Sequence, residues 1–162
     1  MAKNIRTRTR RTRQFEHYLG LMEHRVLRLV KSDCFLIYSI PAPKEIRRRI
    51  GGSKTRVVQF AFMDSGFYLD LPDTSVTLDE ARQAVDERPG FQYALDNPLK
   101  RLGERKYDPV QRQYKYSEQR AAAEDTAYVF FDLWPTPLDA VIKVDAAAFE
   151  VPSRWEKGVS MD

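Results

Sequence analysis

The side chains best placed to do chemistry in this chain are its arginines. A guanidinium fork meets a phosphate with two parallel hydrogen bonds and stacks on flat bases. Arg6, Arg8, Arg10, Arg11 and Arg13 follow Lys3 near the start, with only Asn, Ile and Thr between them. A second cluster, Lys44, Arg47, Arg48, Arg49, Lys54 and Arg56, surrounds Gly51-Gly52-Ser53. A third, Lys100, Arg101, Arg105, Lys106, Arg112 and Lys115, is interleaved with Tyr107, Tyr114 and Tyr116. Arg beside Tyr suits RNA or single strands, whose unstacked bases need flat partners.

The net charge of +4 conceals this pattern. Residues 1–60 carry 15 Lys or Arg against 4 Asp or Glu, and residues 61–162 carry 12 against 19. Fields add locally, so a basic surface recruits polyanions whatever the overall balance. The competing account is solvation: a basic terminus or loop is often simply wet. The third cluster fits that account best, because Glu104, Asp108 and Glu118 lie within it. No Cys2His2 spacing, RNP-type aromatic octamer or GXXG clamp accompanies the clusters, so the hint is electrostatic alone.

Acids raise a different chemistry. Asp64, Asp70 and Asp73, with Glu124, Asp125 and Asp132, could hold Mg²⁺ beside a captured phosphodiester, as a metal-dependent nuclease requires. The tripeptide such enzymes favour occurs only as Glu104-Arg105-Lys106, in a loop context rather than a core strand. His17 and His24 are seven apart, where zinc usually prefers a four-residue spacing with an added acid. Cys34, the one cysteine, lies in an apolar run and reads as a buried small hydrophobe, and it excludes an intramolecular disulfide. Gly51-Gly52-Ser53-Lys54 departs from a Walker loop, which must open a helix, whereas a strand follows here. No catalytic residue, metal ligand or cofactor is assigned on this basis.

Elements must position the charges. Residues 1–12 have no apolar periodicity and read as a basic flexible arm. From Arg13, the residues Phe15, Leu19, Met22, Val26 and Leu29 form the seam of a helix, suited to packing on a sheet. Phe35 to Ile40 reads as a first strand closed by Pro41-Ala42-Pro43, and Lys44 to Arg56 as a long, Gly-hinged basic connection. Val57 to Met63 and Phe67 to Leu71 alternate as a hairpin around Asp64-Ser65-Gly66. Tyr68 and Asp70 then face the other way, toward solvent or a helix.

Thr77-Leu78-Asp79-Glu80 is a capping box opening a helix to about Glu87, with Leu78, Ala81 and Val85 inward. Phe91 to Leu95 and Gln113 to Tyr116 read as short strands, with Lys100 to Val110 a loop. Ser117 to Trp134 favours helix in its first half, while Tyr128-Val129-Phe130-Phe131 has strand composition. A single buried helix is the expectation, because no turn residue interrupts it. Ala140 to Val144 reads as the last strand, followed by a coil pinned by Trp155.

The expected fold is α+β: about five mostly antiparallel strands with two or three helices packed on one side. The expected organisation is an arm over 1–12, one domain over 13–150 and a C-terminal coil over 151–162. No apolar run approaches the ~18 residues of a membrane span, and no secretory leader is recognised, which predicts a cytoplasmic protein. An Arg- and Thr-rich start without acids also fits an organelle transit peptide. The element order resembles small chaperone-like α+β folds such as secretion chaperones, which implies a protein-binding alternative. The leading expectation is a non-enzymatic nucleic-acid-associated or assembly protein whose arm and Lys44–Arg56 loop contact the phosphates of RNA or DNA. A chaperone-like adaptor, meeting a protein partner or itself, and a metal-dependent nuclease are the alternatives.

Overall fold

The computed structural model of the chain describes residues 2–28, 34–63, 65–93, 110–148 and 159–161. The hairpin forms as its alternation predicts. β2 (Thr55–Met63) and β3 (Gly66–Leu71) pair antiparallel, with Phe60 opposite Leu69 and Phe62 opposite Phe67. Gly66 is required there, because a Cβ would stand 2.5 Å from the Tyr114 carbonyl oxygen on the neighbouring strand.

β1 (Cys34–Pro41) pairs with β2 and with β6 (Ile142–Ala148), and β3 pairs with β5 (Val110–Tyr114). Two short edge strands, β4 (Gln92–Tyr93) and β7 (Val159–Met161), complete seven antiparallel strands in the order β4-β5-β3-β2-β1-β6-β7. The sheet is therefore larger than the five strands expected, and β7 falls where a terminal coil was expected. Residues 94–109 and 151–158, with the loop and the Trp155 contact expected in them, lie outside the described residues.

Three helices cover one face: α1 (Ala2–Arg28), α2 (Leu78–Glu87) and α3 (Gln119–Tyr128). Phe15, Leu19 and Met22 of α1 are buried with Leu36, Tyr38, Phe60 and Phe130 in one core. Each such side chain contributes about 1.5–3 kcal/mol relative to exposure. Phe15 lies edge-on to Tyr38, centroids 5.1 Å apart, and the Tyr38 hydroxyl donates to the Phe15 carbonyl at 3.0 Å. Burial drives the Tyr38 hydroxyl far above its ordinary range, so it remains a donor.

The Thr77–Glu80 capping box is present, but Leu78 is 41% exposed and Ala84 takes the inward position beside Ala81. α3 continues through one π-helical turn, Val129–Leu133, and ends where the Trp134 amide bonds the Val129 carbonyl at 2.8 Å. Tyr128, Val129 and Phe130 are all buried in it. Burial on every side thus overrides the strand propensity of that tetrapeptide.

Residues 2–12, expected as a basic flexible arm, form the first turns of α1, which runs unbroken from Ala2 to Arg28. The connection between β1 and β2 is also ordered. Lys44–Ile50 is a 3-10 helix, closed by Gly51 and Gly52 at φ 73° and 81°, conformations that glycine adopts without strain.

Candidate nucleic-acid interface

α1 sorts its basic residues by face. Arg8, Arg11, Phe15, Leu19 and Met22 recur at intervals of three and four and point to the body. Lys3, Arg6, Arg10 and Arg13 recur at three, four and three on the opposite face and are exposed. His17, also exposed, extends that row. Among the described residues, none of these four cations meets a carboxylate. Residues 2–6 are exposed all round, so the first turn and more of the helix stands clear of the body.

Inward, Arg8 forms a two-pronged bond with Asp132, Nη1 to Oδ1 at 2.8 Å and Nη2 to Oδ2 at 2.7 Å. That bond raises the Arg8 guanidinium and holds the Asp132 carboxyl below its ordinary range. Arg11 is 1% exposed and donates to the Ala140 carbonyl at 2.9 Å. These contacts tie the helix start to the end of α3 and the approach to β6. They do so against the local electrostatics, because no acid stands in the first turn of α1 and its cations face the positive end of the helix dipole. Thr7, Thr9 and Thr12 return their hydroxyls to carbonyls four residues back, each at 2.9 Å.

The second cluster divides likewise. Lys44, Arg48 and Lys54 are exposed, and Arg49 is exposed beside Asp79 at 3.2 Å, a pair worth little in water. Arg47 is half-buried, with its Nε donating to the Ala42 carbonyl at 3.1 Å. Arg56 is buried, bonded to Glu80 and to the Ser75 carbonyl, with its guanidinium 4.8 Å over the Trp134 ring. Of the eleven positions expected to contact phosphate, Arg8, Arg11 and Arg56 are therefore turned into the protein. Arg47 is half-buried, whereas Arg6, Arg10, Arg13, Lys44, Arg48, Arg49 and Lys54 remain on the surface, and Lys3 joins them.

An apolar groove of about 450 Å³ is lined by Pro41 and Pro43, which lead into the Lys44 segment, and by Ala140, whose carbonyl accepts from Arg11. Of the third cluster, Lys100, Arg101, Arg105, Lys106 and Tyr107 lie outside the described residues, Lys115 is exposed, and Arg112 points inward.

Arg112 belongs to an ionic centre that the sequence did not signal. Asp125 on α3 is fully buried and accepts from Arg88 Nη2 and Arg112 Nη1, each at 2.6 Å, and from the Tyr114 hydroxyl at 2.6 Å. Burial, then the Asp125 charge, pushes the Tyr114 hydroxyl far above its ordinary range, so it stays a donor. Three elements around the core are thereby locked to one carboxylate.

The acids considered for metal chemistry are dispersed. Asp125 is neutralised by arginines, Asp132 holds Arg8, Glu124 lies on the surface beside Arg120, and Asp70 accepts from Gln111 on the far face of the sheet. Asp64 and Glu104-Arg105-Lys106 lie outside the described residues, as do the side chains of His24 and Cys34. Among the described residues no cluster of three or more His, Cys, Asp or Glu could hold a metal ion. None of their helices is long and apolar enough to cross a membrane. No protein-family model, curated protein or solved structure matches the chain.

Proposed function

We propose that this is a non-enzymatic, cytoplasmic nucleic-acid-associated protein that grips phosphates with the outer face of α1, assisted by Lys44, Arg48 and Lys54. The observation that carries the reading is the row Lys3, Arg6, Arg10 and Arg13. Four cations share one helix face, exposed and without a carboxylate partner among the described residues, directly opposite the core-facing row. Surface cations kept only for solubility gain from neighbouring acids, whereas an unneutralised row raises the local potential and draws a polyanion.

The same reading accounts for the electrostatics of the helix start. A cation in the first turn, here Lys3, costs about 0.3–1 kcal/mol at low salt, and bound phosphate reverses the sign of that term. The test is fluorescence anisotropy with the full chain and mixed-sequence nucleic acid over a range of salt. Binding should weaken steeply with salt, as released counterions require. Affinity that is absent at low salt, or indifferent to salt, rules the reading out.

A further inference from the structure

Resting on that reading, we infer that the polyanion is double-stranded DNA, held with the free turns of α1 in its major groove and without stacking on bases. Three observations point there. First, no Phe, Tyr or Trp side chain among the described residues is fully exposed: Tyr18, Phe35, Tyr68, Tyr93, Tyr116 and Phe131 are half-buried and the others buried, while the exposed large apolar side chains are aliphatic or Met. Single strands and RNA loops are gripped by stacking their bases on rings open to solvent, which half-buried rings serve poorly.

Second, the cationic row is straight and regular. From Lys3 to Arg13 it spans about 15 Å at the 1.5 Å rise of an α-helix, a rod suited to a stiff phosphate backbone. Third, the row begins on turns that stand clear of the body. An α-helix about 10–12 Å across fits the ~12 Å major groove of B-form DNA, while the A-form groove of RNA is too narrow to admit it. Ile5, 65% exposed on those turns, is an apolar side chain that gains by meeting base edges and thymine methyl groups in that groove. Lys3 and Arg6 would then meet the groove walls, with Arg10 and Arg13 following the adjoining strand.

The decisive comparison uses the full chain at a single low salt concentration with three probes of equal length: a mixed-sequence DNA duplex, the RNA duplex of the same sequence, and the separated DNA strands. The DNA duplex should bind about tenfold or more tighter than either rival, and Lys3→Gln with Arg6→Gln should erase most of that preference. Equal or tighter binding of the RNA duplex or the single strands overturns the duplex-DNA inference and leaves phosphate binding intact. Preference unchanged in the double variant places the duplex away from α1 and also overturns it. Failure to bind any of the three overturns the functional reading itself.

Discussion

On α1, Arg8 and Arg11 face the body while Lys3, Arg6, Arg10 and Arg13 face away, although all six belong to one unbroken basic run. The inward pair is paid for by specific acceptors, Asp132 and the Ala140 carbonyl, and works as structure. The outward row has no such acceptors among the described residues and is left as surface potential. Residue type is the same on both faces, so position on the helix decides whether an arginine is glue or bait. Arg56 and Arg112 repeat the inward pattern, and Lys44, Arg48 and Lys54 the outward one.

That contrast predicts opposite consequences for stability and for binding. The largest effect is expected at the buried ionic centre. Asp125→Ala leaves Arg88 and Arg112 without their buried counter-charge and should cost about 3–5 kcal/mol in urea denaturation. A loss below about 1 kcal/mol would show that the inward arginines do not depend on their acceptors. Next is Arg11→Ala, which removes a fully buried stem and its bond to Ala140 and should cost about 2–3 kcal/mol. Arg10→Ala, one residue earlier but exposed, should stay within about 0.5 kcal/mol of the parent by the same assay. Equal losses at Arg10 and Arg11 would erase the distinction between the faces.

The Arg8–Asp132 pair gives a smaller effect than the buried groups, and one whose size depends on pH. Its folded carboxyl titrates below the ordinary value of 3.8, so its contribution is present above that value and is lost as pH falls through the lower folded one. The two side chains are 38% and 47% exposed, so solvent screening holds the contribution to about 1 kcal/mol or less. Asp132→Asn should remove that acid-side dependence and lower helicity slightly at neutral pH by circular dichroism. An unaltered acid limb in the variant would show that the bond does not anchor the helix start.

Much of the fold was legible because the signals were local. The alternation of Val58, Phe60 and Phe62 against Phe67, Leu69 and Leu71 specifies the hairpin, and Thr77 with Glu80 specifies a helix start. The beginning of α1 was not legible, for a physical reason. Its core-facing positions upstream of Phe15 are Arg11 and Arg8, so a search for apolar periodicity stops at the point where burial switches from apolar packing to hydrogen-bonded cations. The spacing itself continued and would have exposed the helix had it been followed through charge.

The candidate site was legible in composition and not in membership. Nothing local separates Arg56 from Arg48, because the Glu80, Ser75 and Trp134 that enclose Arg56 come from elsewhere in the chain. The Asp125 centre was hidden likewise, since Arg88, Arg112 and Tyr114 meet it only through tertiary packing. The arrangement of the outer row, by contrast, could have been read from the three-four-three spacing of Lys3, Arg6, Arg10 and Arg13 once the helix was extended to Ala2.

The most direct test of the division is the salt dependence of nucleic-acid binding in Arg6→Gln/Arg10→Gln/Arg13→Gln beside the parent chain. The account predicts a log–log salt slope shallower by about 2 to 3, near 0.9 per lost phosphate contact, with folding stability changed by no more than about 1 kcal/mol. An unchanged slope in a folded variant would contradict it and return the outer face of α1 to ordinary solvated surface.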